Sequence, residues 1–510
     1  MTAERTERLL HWGILAAFFV NALWVIWIPS FPTLDGWSHL HTARMLFDGP
    51  PEGVFCANPD IVPNRVGHLV LGLLTRVFAP LVAERVFLAL LLFGIGGGAY
   101  GLMRAFGGRS PLILLVLPFT VNFMLVLGFH NYLLGMALAF AFAAWWVSRS
   151  ACSWWTLAGH SIAAVILFYT HTTALVLYFM ITGAHELSLM LGYHARAATG
   201  ALGGRWKCPL LYVLSSMPAL MLFSVFSAAH PNEWGAADQQ NNLRELFNLR
   251  SLLLYHFEKE EKFLYALKVL LVACGSLAVV MRLREKEGRR LLHADVPLLV
   301  GAAMLVLYFI LPDSAGYASY ISVRTQWMAL VLFIIGIALQ RMPPAALVVP
   351  VVMLLLVHSA RNGHISEHMA PLAGKRELLV DVARRLPAGS VVLPISTEDN
   401  WLLGHSASLL ATERPLVLLD NYETTMDYFP LVLCPGLPSV IRDHIAAHDR
   451  CLGRLADHLE KGTAPTVDHI VIIGQSWDPS SCSAQSLNGP LARYFKPGYA
   501  NEYVRVYERR

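Results

Sequence analysis

The chain has 510 residues, 55% of them hydrophobic and only 15% charged, with a mean hydropathy of +0.50. Soluble domains carry about a quarter charged residues, so this composition excludes an ordinary soluble enzyme and points to a polytopic membrane protein. The net charge of +4 forms no basic face interleaved with aromatics, which argues against a nucleic-acid partner.

About eleven apolar segments have the length of a membrane span. They cover residues 9–29, 83–103, 111–128, 133–148, 155–170, 173–191, 209–228, 263–281, 295–312, 325–340 and 344–358. The first is too long for a signal-peptide core and lacks a small-residue cleavage site. Basic residues then fall in a consistent pattern. Arg5 and Arg8 precede the first span, Arg104 and Arg109 follow the second, and Arg149 follows the fourth. His194, Arg196, Arg205 and Lys207 follow the sixth, RLREKEGRR (282–290) the eighth and Arg341 the tenth. All lie on one side, which the positive-inside bias makes cytoplasmic. The N-terminus is therefore expected inside and the C-terminal region outside.

The run GHLVLGLLTRVFAPL (67–81) would invert every later loop if it spanned. It reads as an interfacial helix within a long first external loop, residues 30–82. Residues 1–360 then form the membrane module. Residues 361–510 read as a soluble extracytoplasmic α/β domain, with a helix over 377–386. SVVLPI (390–395), PLVLLD (415–420) and HIVIIG (469–474) have the short, branched character of buried strands, and 503–507 alternates like an edge strand. Glu398, Asp399 and Asn400 read as a solvated turn. Cys56, Cys434, Cys451 and Cys482 fall outside, where oxidation is open to them, and both free thiols and a disulfide among the last three fit the spacing.

With this topology the unusual polar residues gather on the external face. FPTLDGWSHLHTARML (31–46), GFHNY (128–132), YTHTT (169–173), the loop 230–262 and PDSAGYASYISVR (312–324) all lie there. Asp35 reads either as the N-cap of a following helix, a role Ser38 shares, or as a carboxylate held at the membrane surface. On a helix His39 shares the face of Asp35, while His41 points away and pairs with Arg44. A carboxylate beside an imidazole suits proton abstraction from a hydroxyl, and equally a metal-ligand pair. His171 reads as a solvated turn residue or a site residue. His130 and Asn131 occupy the equivalent turn of another helix pair. Arg324 opens a span on the side where basic residues are scarce, with Asp313 in the same loop. It either snorkels or holds a phosphate in a bidentate fork. Arg65 and His68 are further candidates of that kind. No Walker loop, GxGxxG or GxSxG is present.

Asp35 just past the first span, NRVGHLVLGLL (64–74) in the long first loop, APLVAERVFLAL (79–90) opening the second span and SVVLPI after the last together form a layout. It resembles the GT-C superfamily of polytopic membrane glycosyltransferases that use lipid-phosphate-linked sugars. The resemblance implies an α-helical polytopic fold with a C-terminal extracytoplasmic α/β domain, in a bacterial inner or plasma membrane. It implies transfer of a sugar from a polyprenyl-phosphate donor to a glycan, lipid or protein acceptor, with inversion. Asp35 would be the general base. Arg324, His171 and His39 would hold the donor phosphate, and His41, Arg65, His68 and Asn131 would line the substrate site. Many members place two acids together in this loop. Here Gly36 follows Asp35, and the next acids are Asp48, Glu52 and Asp60. This departure favours chemistry through one carboxylate with no metal or other cofactor, and leaves a divalent cation as the less favoured alternative. The rival readings are a transporter or flippase of lipid-linked saccharides and a non-catalytic partner in polysaccharide assembly. Against transport, the chain has no two-half repeat and few charges lie in mid-span.

Overall fold

The structure, a computed structural model, describes residues 3–28, 30–149, 152–191, 207–230, 235, 239–284, 293–316, 318–447, 453–462, 464–474 and 482–510. In chain order the main helices are α1 (Ala3–Trp27), α2 (Gly36–Asp48), α3 (Val66–Thr75), α4 (Pro80–Ala105), α5 (His130–Ser148), α6 (Trp154–Thr170), α7 (Thr172–Met190), α8 (Lys207–Ala229), α9 (Gln239–Phe247), α10 (Phe257–Arg284), α11 (Val296–Ile310), α12 (Ile321–Ala338), α13 (Pro344–Arg385), α14 (Ser408–Glu413), α15 (Ser439–Ala447), α16 (Gly453–Lys461) and α17 (Cys482–Tyr494). The strands are β1 (Phe55–Ala57), β2 (Val391–Ser396), β3 (Val417–Leu418), β4 (Leu431–Leu433), β5 (His469–Ile473), β6 (Phe495–Ala500) and β7 (Val504–Arg509).

Among the described residues nine helices are long and apolar enough to cross a membrane: α1, α4, α5, α7, α8, α10, α11 with its preceding turn, α12 and α13. The other two apolar segments take different forms. The helix α6 has 17 residues. Residues 111–127 form a 3₁₀ turn, Pro111–Val116, and two short helices, Leu117–Thr120 and Phe123–Leu127. Pro118 removes a helix donor. Asn122 turns its amide back onto the Phe119 carbonyl (2.9 Å) and accepts from the Leu125 amide (3.0 Å). The carbonyls this break releases find buried donors. Arg361 donates to Pro118 and Val121 at 3.1 Å each and to Leu252 at 2.7 Å, and the Trp327 indole donates to Phe119 at 2.9 Å. Irregular backbone survives at membrane depth only where protein satisfies it in this way.

The run at 67–81 becomes α3, whose ten residues span about 15 Å, half the thickness of a bilayer core. At the other end, α13 does not stop where the apolar character fades near His358. It runs 42 residues to Arg385, so the helix expected over 377–386 is its last part. The positive clusters at 194–205 and 285–290 lie outside the described residues.

Backbone contacts divide the chain into two compact units that do not follow chain order. The first comprises Met1–Trp27, Leu88–Leu125 and His130–Ser366, and the second Ile28–Phe87, Val126–Phe129 and Glu367–Arg510. The first loop, read from sequence as part of the membrane module, thus groups with the C-terminal residues. The second unit is built on a five-stranded sheet of order β3-β2-β5-β7-β6. β2 runs parallel to β3 and β5, and β7 runs antiparallel to both β5 and β6. β7 is therefore not the edge strand the alternation suggested. β6, with mostly exposed residues, takes the edge. Leu393, Ile395, Ile470 and Ile472 from the sheet share a core with Met45, Val54 and Phe55 from the first loop. β1 pairs antiparallel with β4, and a disulfide joins Cys56 to Cys434 across 378 residues. Cys434 is thus neither a free thiol nor paired among the last three cysteines. Cys451 lies outside the described residues.

Candidate active site

The residues after α1 turn through an extended stretch before α2. Leu34 and Asp35 donate their amides to the carbonyls of Val126 and Leu127, at 2.9 and 3.2 Å. Gly128 follows with φ +81°, and a Cβ there would lie 2.8 Å from the Asp35 amide nitrogen. Only glycine lets the two segments approach this closely. Asp35 stands at the N-cap position of α2, yet its side chain makes no capping bond. The carboxylate is buried instead. The Tyr422 phenol donates to it, and His405, stacked on Tyr422 with ring centroids 4.3 Å apart, places Nε2 at 3.6 Å from Oδ1. Burial raises its pKa to about 7, against the lowering effect of His39 and the Tyr422 hydrogen bond. A base is most effective when its pKa lies near the working pH.

One turn along α2, His39 donates its backbone amide to the Asp35 carbonyl (3.0 Å). Its ring meets His68 of α3 and Glu423. Nδ1 of His39 lies 3.1 Å from Nε2 of His68 and 2.5 Å from Glu423 Oε1, and His68 Nε2 lies 2.9 Å from Glu423 Oε2. The far nitrogens face backbone carbonyls, His39 Nε2 that of Gly128 and His68 Nδ1 that of Asn64, both at 2.8 Å. Asn421 holds Glu423 in place. It accepts from the Glu423 amide (3.1 Å) and donates to Thr42 of α2 (2.9 Å). All three members are buried, Glu423 fully. Burial alone would raise the Glu423 pKa, but His39 and His68 reverse this and hold it well below the usual range. For His39, burial favours the neutral ring, and Glu423 outweighs it to leave the pKa raised.

The remaining candidates of the second unit stand apart from this cluster. His41 is buried edge-on against Phe55, and burial lowers its pKa to about 4. Arg65 donates to the carbonyls of Asn58 and Asp60 and so ties its own loop. His39 and His68, expected at a phosphate, have their ring nitrogens directed at one another, at Glu423 and at backbone carbonyls. Glu398, read as part of a solvated turn, is also tied in. It receives Lys375 at 2.7 Å and the Tyr503 hydroxyl at 2.6 Å.

In the first unit, Arg324 and His171 come together. His171 caps the N-terminus of α7, where its Nδ1 accepts from the Thr173 amide (3.1 Å). The neutral ring must then carry its proton on Nε2, and burial, with Arg324 adding to it, keeps the ring neutral. Arg324 Nη1 lies 3.3 Å from that Nε2. Two donors therefore converge, an arrangement that suits a shared anionic acceptor. Tyr132 packs edge-on against His171 and beneath the guanidinium, and its hydroxyl donates to the Arg324 carbonyl (3.2 Å). Asp313 accepts from the Ser322 amide and hydroxyl, holding the start of α12. Asn131 is buried in the first turn of α5.

Two solved structures share this architecture. One is the arabinofuranosyltransferase AftD from mycobacteria, with a TM-score of 0.55 and 15% identity, covering 98% of this chain. The other is ArnT from Cupriavidus metallidurans bound to undecaprenyl phosphate, with a TM-score of 0.51 and 13% identity, covering 99% of this chain and 98% of ArnT. The chain has the GT-C fold. It spans 40% of the length of AftD but nearly all of ArnT. No protein-family model and no curated protein sequence matches it. The GT-C fold and the nine apolar helices make it an integral membrane protein.

Sequence reading missed Tyr422, Glu423, His405 and Asn421. They lie 370 or more residues after Asp35, and no local pattern marks them. The acid at 423 is flanked by ordinary loop residues, unlike Asp35, which adjoins a span.

Proposed function

We propose that the chain is a glycosyltransferase that moves a sugar from a polyprenyl-phosphate donor to an acceptor hydroxyl at the extracytoplasmic membrane face. The observation that carries this is Asp35. It is a buried carboxylate just past the first span of a GT-C fold, free of any capping role and with its pKa near neutrality. ArnT, which matches along its whole length, was solved with undecaprenyl phosphate, and this supports the donor class. Asp35 takes the proton of the acceptor hydroxyl as its oxygen attacks the anomeric carbon. The bond from that carbon to the phosphate oxygen breaks, and the configuration inverts. The phosphate leaves with added negative charge, which preplaced donors stabilise. Arg324 and His171 are assigned that role on the geometry of the first unit alone. The Cys56–Cys434 disulfide supports an oxidising compartment for the second unit.

The test mixes the purified chain in detergent with polyprenyl-phosphate sugars and candidate acceptors and looks for product by mass. Asp35→Asn keeps size and loses basicity, and turnover is expected to fall about 10²–10⁴-fold. Near wild-type transfer by a folded Asp35→Asn protein refutes the assignment. A flippase requires a sealed bilayer and forms no covalent product in detergent.

A further inference from the structure

The cluster of His39, His68 and Glu423 contains a contradiction that protons resolve poorly. With His39 Nε2 and His68 Nδ1 donating to the carbonyls of Gly128 and Asn64, the neutral rings present lone pairs at His39 Nδ1 and His68 Nε2. Those two lone pairs face each other across 3.1 Å, and the carboxylate of Glu423 stands 2.5 and 2.9 Å from them. His39 Nδ1 can donate to Glu423 Oε1 only when its ring is charged. One added proton still leaves a lone-pair contact, such as His68 Nε2 against Glu423 Oε2. Two added protons either bury two imidazolium rings with their N–H groups opposed or, with one on His39 and one on Glu423, satisfy the contacts but remove the counter-charge from the buried imidazolium. A single divalent cation serves all three acceptors at once.

The geometry points to a zinc-class divalent cation held by His39 Nδ1, His68 Nε2 and Glu423. Zinc binds imidazole nitrogen at about 2.0–2.1 Å in a tetrahedron, which sets ligand atoms about 3.3 Å apart. The nitrogen pair at 3.1 Å is near that edge, the carboxylate oxygens at 2.5 and 2.9 Å would shift outward by up to about 0.8 Å to admit the ion, and all three ligand atoms lie within 4.8 Å of one another. The donor set of two imidazoles and one carboxylate suits zinc or cobalt rather than magnesium or calcium. The supporting shell is also present. Each imidazole donates its far N–H to a backbone carbonyl, which fixes the tautomer a metal ligand needs. Glu423 is fixed by Asn421. Phe429 closes the site, with ring centroids 6.1 and 5.9 Å from those of His39 and His68. The fourth position is left to a solvent ligand. The resemblance disfavoured a metal because no second acid adjoins Asp35. This site is separate from that question. It is assembled from α2, α3 and the turn Tyr422–Thr425, and it fixes the residues that flank Asp35, namely His39 on one side and Tyr422 on the other. It does not depend on the reaction proposed above.

The experiment uses the full chain in detergent. Metal content is measured by mass spectrometry after exhaustive dialysis, and chelator-stripped protein is titrated with Zn²⁺ and with Co²⁺. About one zinc per chain is expected, and Co²⁺ is expected to give the absorption bands of a tetrahedral site at one equivalent. Loss of a partner that merely orients a ligand lowers metal affinity about 10–100-fold. His68→Ala and Glu423→Gln, which remove ligands, are expected to lose at least that much, while His41→Gln, on the same helix as His39, retains the metal. Stripped wild-type protein that remains folded and takes up neither ion overturns the proposal. Uptake that persists unchanged in His68→Ala and in His39→Ala also overturns it. The wild-type titration decides the matter even if a variant does not fold.

Discussion

Replacing Gly128 with alanine tests whether the placement of Asp35 is as tightly determined as the structure implies. The backbone there has φ +81°, and a Cβ would meet the Asp35 amide nitrogen at 2.8 Å and the Asp35 Cβ at 3.0 Å. A left-handed conformation costs a non-glycine residue about 1–2 kcal/mol. Ordinary contacts begin at 3.4 Å, so one of the two strands must also move by about 0.6 Å. Overpacking of this kind typically costs about 1–3 kcal/mol. The combined loss is about 2–5 kcal/mol, visible as a lower melting temperature. Displacement of a catalytic group by about 1 Å costs about 10²-fold in rate, so turnover should fall about 10- to 100-fold. The assay pairs thermal unfolding in detergent with the transfer reaction described above. A Gly128→Ala protein that melts within a degree of wild type and turns over at the wild-type rate would refute the reasoning.

Arg324→Lys keeps the charge but loses the planar fork. It should lower turnover, and Arg324→Ala should lower it further, as read from product formed at saturating acceptor. Equal activity of all three proteins removes Arg324 from the phosphate role. Converting Cys56 and Cys434 to serine should lower stability by about 2–5 kcal/mol, measured as the shift in melting midpoint. No shift would mean that the bond adds nothing to the native state. The pH response of Glu398 has a defined sign. Burial works against its charge, but Lys375 and Tyr503 outweigh it and lower its pKa. Its stabilisation is therefore present above the ordinary glutamate range and is lost as pH falls through the lowered value. Glu398→Gln should destabilise by about 1–3 kcal/mol at pH 7, with the melting curves of variant and wild type converging towards pH 3. Parallel curves at both pH values would contradict the assignment.

Much of the membrane part was legible because hydropathy and helical length are local properties. The span at 111–128 shows the limit of that reading. PFTVN lies in full view, but its apolar neighbours dominate any window average, and only the fold reveals that Arg361 waits to receive the carbonyls it frees. In the candidate site, Asp35 and His39 could be paired because helical spacing puts them on one face. Glu423 could not, since it lies 355 residues from His68. His68 itself was assigned to a phosphate because a lone histidine in sequence does not disclose what its two nitrogens face. The disulfide was missed for the same reason. Cys434 was grouped with its neighbours in sequence, although its partner lies in the first loop.

The Cys56–Cys434 bond and the β1–β4 ladder also impose an order on biosynthesis. At about 5–20 residues per second, the 378 residues between the two cysteines take about 20 to 75 s to make. Through that interval the first loop is already synthesised, yet its strand, its thiol and its apolar residues have no partners. The carboxylate of Asp35 likewise waits for Tyr422. The earliest-made loop is therefore among the last parts of the chain to mature, and a ribosome that stalls before codon 434 leaves a membrane-inserted protein whose candidate site was never assembled.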